Sequence, residues 1–442
     1  MTRVWGFGSA MKVAAILIIQ LIASTALADD WPQWRGPRRD GVWRESGIVR
    51  EFDKPRLELE WRTAIGPGYA GPAVAGGRVF VTDRQKDSNT ERVLCLDEAT
   101  GRLLWKHEYP CVYRGVDYPS GPRATPSVSE GKVYSVGTMG HLFCLDVRDG
   151  KPIWSKDYAK DYATEIPTWG VASAPLIDGE QLIALVGGAN GATVVSFNKD
   201  TGKEIWRALS ADDMGYCPPV IFEAGGTRQL ILWLPERIVS LDPKTGKVYW
   251  EQPFHSNMGN CIMTPVFDGR RLFISTFFNG PIMLRLASDR PTADVMWRGT
   301  SESEINTDKV HCLMSSPIMK DGYLYAVDSY GALRCLDAET GNRIWETYQA
   351  TGNDRWWNAF LIRQGDRTFL ANEQGELIIA RLSPKGYEEI SRAKLIEPTS
   401  RVRRRDMVWS HPAFADKHVF ARNDREIVCA SLAARVGSSP VR

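Results

Sequence analysis

A short acidic loop carries the clearest set of side chains that could bind a metal ion. The segment reads ESEINTD, and it places oxygen-bearing side chains at alternate positions: Glu302, Glu304, Asn306 and Asp308. Carboxylate and carboxamide oxygens are the ligands that Ca²⁺ prefers, but the loop lacks the central glycine and the spacing of an EF-hand. Two interpretations stay open, a weak calcium site and a solvated acidic loop, and the second is favoured.

The eight cysteines fall into two groups. One group recurs at a single position of a repeated motif, where a small buried side chain is needed, and free thiols are expected there. Its members are Cys95, Cys144, Cys335 and Cys429. The other group precedes apolar strands and consists of Cys111, Cys217, Cys261 and Cys312. Within it we expect one disulfide, either Cys217 with Cys261 or Cys261 with Cys312.

Signatures of common catalytic sites are missing from the sequence. The six histidines show no H-E-x-x-H spacing, and no G-x-S-x-G turn occurs. The chain has 55 basic and 53 acidic residues, and two of the basic residues lie in a leader, so the remainder carries 53 of each. A neutral chain lacks the general electrostatic attraction on which nucleic-acid binding depends. No nucleic-acid partner is expected.

The elements that must position these side chains come from an internal repeat. Copies of one motif read LCLDEATGRLLW at 94–105, FCLDVRDGKPIW at 143–154 and RCLDAETGNRIW at 334–345. The tryptophans that end such copies recur every 44 to 52 residues, at positions 61, 105, 154, 206, 250, 297 and 345. A second marker, a proline ahead of an apolar strand, recurs with the same period, with Phe360 in place of one member. Together the two markers indicate eight units.

Each unit is predicted to form four short strands. In the clearest copy these are 316–319, 323–327, 332–336 and 343–345, with turns at Asp321-Gly322 and at Asp337 to Gly341. Four-stranded units repeated around an axis are typical of a β-propeller. The sequence therefore predicts an all-β fold: an eight-bladed β-propeller of four-stranded antiparallel blades. The strand at 57–62 precedes every marker proline, and the last unit lacks its fourth strand, so the N- and C-terminal strands should close the ring in one blade.

Loops that precede the first strand of each unit should meet around the central funnel. One residue of each loop lies three positions before the marker proline or Phe360. These residues are Tyr69, Arg123, Ala172, Tyr216, Ile262, Met314, Trp357 and Trp409. Aromatic rings and arginine at one height suit a planar or anionic ligand, although the same rings could simply fill the channel. The candidate ligand-binding residues are Arg123, Trp169, Tyr216, His311, Trp357, Arg403, Arg404, Trp409 and His411.

The repeated LDxxTGxxxW motif resembles the pyrroloquinoline quinone (PQQ) repeat family over residues 57–432. The resemblance implies a PQQ-repeat propeller, and the family includes both quinoprotein alcohol dehydrogenases and the non-enzymatic BamB-type assembly propellers. The dehydrogenases hold PQQ with Ca²⁺ under a disulfide of adjacent cysteines. This sequence has no Cys-Cys pair and no C-x-x-C-H haem site. The repeated tryptophans are better explained by packing between blades.

The sequence is therefore compatible with two functions. The favoured one is a non-catalytic exported propeller that acts as a binding or assembly scaffold in the cell envelope, with no cofactor. It would be a monomer that contacts a protein or envelope partner through its loops or blade edges. The alternative is a PQQ-dependent, alcohol dehydrogenase-like oxidoreductase with an atypical site, which would use PQQ with Ca²⁺.

The first 28 residues read as a signal peptide, and the rest of the chain divides around the ring. Arg3 and Lys12 precede an apolar stretch that is too short to remain as a membrane anchor, and Ala26-Leu27-Ala28 forms a cleavage site. No cysteine near this site signals a lipid anchor, so a periplasmic or secreted protein is expected. An N-terminal strap at 29–56, the propeller at 57–434 and a tail at 435–442 follow. The strap reads DDWPQWRGPRRDGVW at 29–43, and we expect it to clasp the seam of the ring.

Overall fold

Almost all of the regular structure is β-sheet. The computed structural model describes residues 1–2, 29–402 and 404–434, and these form eight four-stranded antiparallel sheets. The first strands of neighbouring sheets contact one another, so they surround a central channel. The predicted eight-bladed β-propeller is confirmed. The predicted signal peptide at 1–28, apart from its first two residues, and the predicted tail at 435–442 lie outside the described residues.

The first four blades follow chain order after strand β1, Leu59–Ala64. Blade one has β2 Ala73–Ala75, β3 Arg78–Gln85, β4 Thr90–Asp97 and β5 Leu103–Pro110. Blade two has β6 Ser127–Ser129, β7 Lys132–Val136, β8 His141–Asp146 and β9 Pro152–Asp157. Blade three has β10 Leu176–Asp178, β11 Gln181–Gly188, β12 Ala192–Asn198 and β13 Glu204–Ala208. Blade four has β14 Val220–Ala224, β15 Thr227–Leu234, β16 Arg237–Leu241 and β17 Val248–Pro253.

The remaining blades complete the ring. Blade five has β18 Val266–Phe267, β19 Arg271–Thr276, β20 Gly280–Leu286 and β21 Ala293–Arg298. Blade six has β22 Ile318–Lys320, β23 Tyr323–Val327, β24 Leu333–Asp337 and β25 Arg343–Thr347. Blade seven has β26 Ala359–Gln364, β27 Arg367–Asn372, β28 Glu376–Ser383 and β29 Gly386–Lys394. A hairpin of β30 Ser400–Val402 and β31 Arg405–Met407 precedes blade eight, which has β32 Ala413–Ala415, β33 His418–Arg422, β34 Glu426–Ser431 and β1.

Within residues 29–402 and 404–434, helical structure is confined to two short segments between blades. An α-helix, α1, spans Tyr158–Tyr162 after blade two, and a 3₁₀ turn spans Asn257–Gly259 after blade four. Among the described residues, no helix is both long and apolar enough to cross a membrane.

Most of the repeated tryptophans dock their blade against the next one. The indole N–H of Trp105 donates to the carbonyl of Val147 at 2.9 Å, and that of Trp154 donates to Lys199 at 2.8 Å. The ring also lies on the glycine of the next blade's turn, because a Cβ on Gly150 would lie 2.4 Å from Trp105. These turn glycines have positive φ, which glycine adopts without strain. The repeated motif therefore reflects a packing contact between neighbouring blades, in which the tryptophan ring lies on a turn glycine. We call it the Trp-on-Gly contact.

Blade eight is made from both ends of the chain. Strand β1 pairs antiparallel with β34, and Trp61 lies opposite Cys429 in this pairing. Trp61 then docks on blade one through a hydrogen bond to the Glu98 carbonyl at 2.8 Å. The predicted closure of the ring is confirmed.

The strap enters the channel before it reaches the seam. Trp31 forms an antiparallel bridge with Val74 on the innermost strand of blade one, and Pro32 accepts a hydrogen bond from Val128 of blade two. From here the indole N–H of Trp34 reaches Thr264 ahead of blade five at 2.7 Å. The buried Arg39 guanidinium donates to carbonyls ahead of blades three and four: Ala174, Pro175 and Pro219. The strap thus crosses the channel and closes it.

The rest of the strap follows the seam. Trp43 is 1% exposed and packs against Phe369 of blade seven and Phe414 of blade eight. Ile48 then bridges to Ala433, and the Leu57 amide donates to Lys394 just before β1 begins. The segment therefore joins blade seven to blade eight, the blade that contains both chain ends.

Candidate functional site

A large cavity lined by residues from all around the ring opens on its axis. Its volume is about 510 Å³, and every blade contributes to its wall. Seven of the eight side chains predicted to face it do so: Tyr69, Arg123, Ala172, Tyr216, Ile262, Met314 and Trp409. The loops that precede the first strands therefore form the funnel that the repeat predicted.

Aromatic rings form one side of the mouth of the funnel. Tyr118 lies edge-on to Trp409, with ring centroids 5.9 Å apart, and to Trp356 at 6.4 Å. Trp356 and Trp409 are 6.5 Å apart, and Tyr69 lies 6.3 Å from Trp409. Such a group presents ring faces and edges that can hold another aromatic or apolar group.

A second aromatic pair lies across the funnel. Trp169 and Tyr216 have ring centroids 5.1 Å apart, and the Tyr216 hydroxyl accepts a hydrogen bond from the Trp169 amide at 3.3 Å. Burial is the main cause that raises the pKa of Tyr216 above its ordinary value, so the phenol stays neutral. The pair adds apolar surface with one fixed polar atom.

Arg123 lies in the funnel wall but its donors are already used. Its guanidinium donates to the carbonyls of Asp117 at 2.7 Å, Tyr118 at 2.6 Å and Gly121 at 3.0 Å. It also stacks 5.2 Å from the Tyr69 ring, and burial lowers its pKa. Arg123 therefore fixes the loop that carries Tyr118, and it offers little free charge to an anionic ligand.

Arg355 is the second cation of the funnel. It forms a salt bridge with Glu304 and stacks over Trp356 at 4.7 Å and Phe277 at 5.4 Å. The Tyr330 hydroxyl donates to the same carboxylate at 2.9 Å. The charge of Arg355 is thus neutralised in place, and its flat face supports the aromatic wall.

A buried carboxylate joins Trp409 to the rim. Glu373 is 2% exposed, accepts the Trp409 indole N–H at 2.7 Å and forms a salt bridge with Arg405 at 3.2 Å. Burial raises the pKa of Glu373 to about 7, although the two hydrogen-bonded partners oppose that rise. Arg405 also stacks 5.0 Å from Trp357. The network holds the position of Trp409.

The floor of the funnel is provided by the strap. Trp34 lies 4.9 Å from His411, whose ring also contacts Trp31 and Phe360. The Nδ1–H of His411 donates to the Pro412 carbonyl at 2.6 Å. Burial, with Arg35 nearby, lowers the pKa of His411 to about 3, so the ring is neutral. Sequence reasoning missed Trp34 as a funnel residue because no local pattern shows that the strap enters the channel.

Three candidate residues lie elsewhere. His311 is fully buried, its Nδ1–H donates to the Phe277 carbonyl at 3.1 Å, and it does not line the cavity. Trp357 packs on Gly331 and Gly352, and its neighbour Trp356 takes the funnel position. Arg404 is exposed beside the hairpin and outside the cavity. Arg403 lies outside the described residues. The other five candidates line the funnel together: Arg123, Trp169, Tyr216, Trp409 and His411.

Two of the four oxygen-bearing side chains of the acidic loop are engaged by protein groups. Glu304 is paired with Arg355, and Asp308 accepts from the amide and hydroxyl of Thr300 at 2.7 and 2.9 Å. Glu302 and Asn306 are exposed, and a calcium site in this loop stays a prediction. These carboxylates hold loops in place.

The predicted disulfide is not formed, since all eight cysteines are free and buried. The Cys217 thiol donates to the carbonyls of Pro218 and Met263, and the Cys261 thiol donates to Gly259. Each sulfur is engaged by backbone instead of by another sulfur. Burial raises the pKa of Cys217 well above its ordinary value, which keeps this thiol protonated.

The donor set of the funnel does not suit a bound divalent cation. Among the described residues that line it, Asp117 is the one carboxylate and Asn260 the one carboxamide. They belong to the loop before blade two and the loop before blade five. Ca²⁺ requires six to eight oxygen ligands, so PQQ together with Ca²⁺ does not fit the residues present.

Comparison with known proteins agrees with this geometry. The family described as outer membrane protein assembly factor BamB matches residues 45–112, 89–347 and 284–438, which is most of the chain. The chain belongs to this family. Its PQQ-like, BamB-type propeller, anticipated from the repeat, is confirmed.

Individual relatives come from both branches of the PQQ-like propellers. The BamB of Shewanella oneidensis is 21% identical over 65% of this chain and 70% of its own length. A quinoprotein ethanol dehydrogenase of Pseudomonas aeruginosa is 27% identical, but over only 38% of this chain and 27% of its own length. The crystal structure of BamB from Moraxella catarrhalis superposes with a TM-score of 0.59 at 13% identity, covering 85% of this chain and 99% of that one. The structural likeness shows the fold alone.

Proposed function

We propose that this BamB-family propeller is a non-catalytic binding or assembly scaffold, exported to the cell envelope, whose funnel takes an apolar or aromatic segment of a protein partner. The observation that carries the proposal is the composition of the funnel wall. It is built of aromatic and apolar side chains from all eight blades, its two arginines are already engaged, and it holds one carboxylate among the described lining residues.

Such a wall is suited to binding more than to catalysis. General acid–base chemistry needs titratable groups that can reach a substrate, and the ring of His411 is neutral and buried under the strap. Anchoring of partners, in contrast, relies on aromatic pockets from which water is excluded. The assembly role in the name of the BamB relatives supports a protein partner.

The test uses fluorescent heptapeptides that carry a central Trp, Phe, Leu or Ser between polar residues, with binding followed by anisotropy. Peptides with aromatic or leucine centres should bind and the serine peptide should not. Trp356→Ala should weaken binding at least about 10-fold, as for a hot-spot residue. Ile344→Ala removes an exposed apolar side chain on β25 and should leave binding unchanged. Absence of binding, or equal affinity in the two variants, would refute the funnel as the site.

The second candidate, a PQQ-dependent oxidoreductase, is favoured by the quinoprotein dehydrogenase relatives. Addition of PQQ with Ca²⁺ should give no alcohol-dependent dye reduction, and turnover would reverse the assignment.

The proposed export has its own measurement. The mature protein recovered from the envelope or medium should begin at Asp29 by intact mass, behave as a monomer and carry no lipid. A chain that retains Met1 in the cytoplasm would contradict export.

A further inference from the structure

Blade eight brings together three different metal-ligating side chains at the seam of the ring. Glu60 lies on β1, His418 begins β33 and Cys429 lies on β34. One ligand atom from each lies within 4.8 Å of the other two, and no other group of this kind occurs in the part of the chain that the structure describes. The three residues come from opposite ends of the sequence and meet only because the ring closes.

The repeat shows that this combination is special to blade eight. Three other blades carry a cysteine at the position of Cys429, so the same two neighbouring positions can be compared. In blades one, two and six, the position of His418 is occupied by Arg78, Lys132 and Tyr323. The position of Glu60 is occupied in the same blades by Leu104, Ile153 and Ile344. Blade packing alone is therefore satisfied by an apolar residue where blade eight has Glu60.

The cysteine in blade eight also lacks the partner that its counterparts have. Arg78 lies beside the sulfur of Cys95, Tyr134 beside that of Cys144, and Tyr325 beside that of Cys335. Cys429 is 1% exposed, and among the described residues no hydrogen bond is recorded for its thiol. The carboxyl groups of Glu60, Glu98 and Asp416 lie near the sulfur, so its surroundings are negative. A negative field and an unpartnered sulfur both favour a cation.

His418 is already oriented as a ligand. Its Nδ1–H donates to the carbonyl of Asp416, so Nε2, once it has given up its proton, is the nitrogen that would bind a metal ion. Nε2 lies 3.1 Å from a carboxylate oxygen of Glu60. A backbone carbonyl that holds the far nitrogen of a histidine is the usual arrangement behind a metal ligand.

We propose that Glu60, His418 and Cys429 form a Zn²⁺ site that links the N-terminal strand of blade eight to its C-terminal strands. Thiolate, imidazole and carboxylate are all zinc ligands, and three of them leave a fourth position for water. Ca²⁺ and Mg²⁺ prefer oxygen ligands and would not use the sulfur. At zinc–ligand distances of about 2.0–2.3 Å, ligand atoms lie about 3.5 Å apart, so side-chain adjustments of about 1 Å would close the site.

The expected consequence is a stronger ring closure. Separation of β1 from β34 would break the ligand set, and a ligand that binds only the folded state stabilises it by mass action. At free Zn²⁺ one hundred times its Kd, the melting temperature of the chain should rise by about 3 °C.

The experiment uses the full mature chain, freed of metal with a chelator and then titrated with ZnCl₂ by calorimetry. About one equivalent should bind, and Co²⁺ in its place should give a near-ultraviolet thiolate-to-metal charge-transfer band. Cys429→Ser should lose the band and the bound equivalent. Cys335→Ser, at the same strand position in blade six, should keep both.

Glu60→Gln provides a variant with an exposed side chain, so it tests the site without altering the core. It should lower Zn²⁺ affinity at least about 10-fold and abolish the thermal shift. No bound Zn²⁺, or the same stoichiometry and Co²⁺ spectrum in Cys429→Ser and Cys335→Ser, would overturn the proposal.

Discussion

The carboxyl group of Glu373, which holds Trp409 in the funnel wall, makes the stability of the folded protein depend on pH. The carboxylate is buried and its pKa is raised to about 7, so the folded protein binds a proton that the unfolded chain releases above about pH 4.5. Stability must then fall as the pH rises from about 4.5 to about 7, because the folded state alone holds that proton. The contribution is on the order of 3 kcal/mol, at about 1.4 kcal/mol for each pKa unit.

The prediction is that Glu373→Gln reduces the pH dependence of stability. Urea unfolding at pH 4.5 to 7.5 should show a decline in the free energy of unfolding for the natural chain and a shallower one for the variant. Glu98, whose pKa is also raised to about 7, contributes in the same direction and remains. Glu223→Gln changes an exposed side chain and should keep the full decline. Equal slopes in Glu373→Gln and the natural chain would contradict the assignment.

Single residues of the site were only partly predictable. Tyr216 and Trp409 could be placed by counting from a marker, because each lies three residues before the proline that precedes a repeated strand. Trp356 and Trp357 differ by one position, and only the backbone decides between them: Trp356 has a φ of +69° and faces the funnel. His311 was misplaced because its loop folds it into the core, where the Phe277 carbonyl holds it.

At the scale of elements, the Trp-on-Gly contact gives a matched pair of substitutions. Gly202 and Gly226 have the same φ, +69°, so alanine is strained at both. A Cβ on Gly202 would lie 2.7 Å from the Trp154 ring, whereas one on Gly226 would meet nothing within 4 Å. The difference between the two variants therefore measures the contact between blades.

We expect Gly202→Ala to lower the free energy of unfolding by about 1–3 kcal/mol more than Gly226→Ala does, since overpacking costs about that much. Thermal or urea unfolding of both variants provides the comparison. Equal losses would mean that the tryptophan moves aside freely, and that the repeated contact contributes little to the ring.

The same contact explains why the fold was visible in the sequence. A Trp and a Gly recur at similar spacing where this contact forms, at five of the junctions between blades, so the repeat period survives even though the loops differ in length. The strap has no such partner in sequence, because Trp34 and Thr264 are far apart in the chain and meet only across the channel. Its role at the seam could be expected from its position, but its path through the channel could not.

At the scale of the molecule, the strap contributes to the stability of the whole ring. Trp43 is packed between blades seven and eight and is 1% exposed. Trp43→Ala should lower the free energy of unfolding by about 3–5 kcal/mol, the usual cost of removing a buried large aromatic side chain. Arg44→Ala, on the adjacent exposed residue, should change it by less than about 0.5 kcal/mol.

Thermal unfolding of the two variants provides the measurement, and peptide binding at the funnel is a useful second readout. Because Trp43 lies outside the funnel wall, its loss should reduce stability more than peptide affinity. A variant that unfolds like the natural chain would show that the strap lies on the ring without stabilising it.

The strap also sets an order of events during synthesis. Trp31 and Trp43, which leave the ribosome early, both pack against Phe414 of the blade that is made last. Until β32 to β34 have been delivered, the channel cannot be closed and β1 has no partner strand. The strap must therefore wait for nearly the last residues of the propeller, and a prematurely terminated chain would expose two large indole rings together with an open sheet edge.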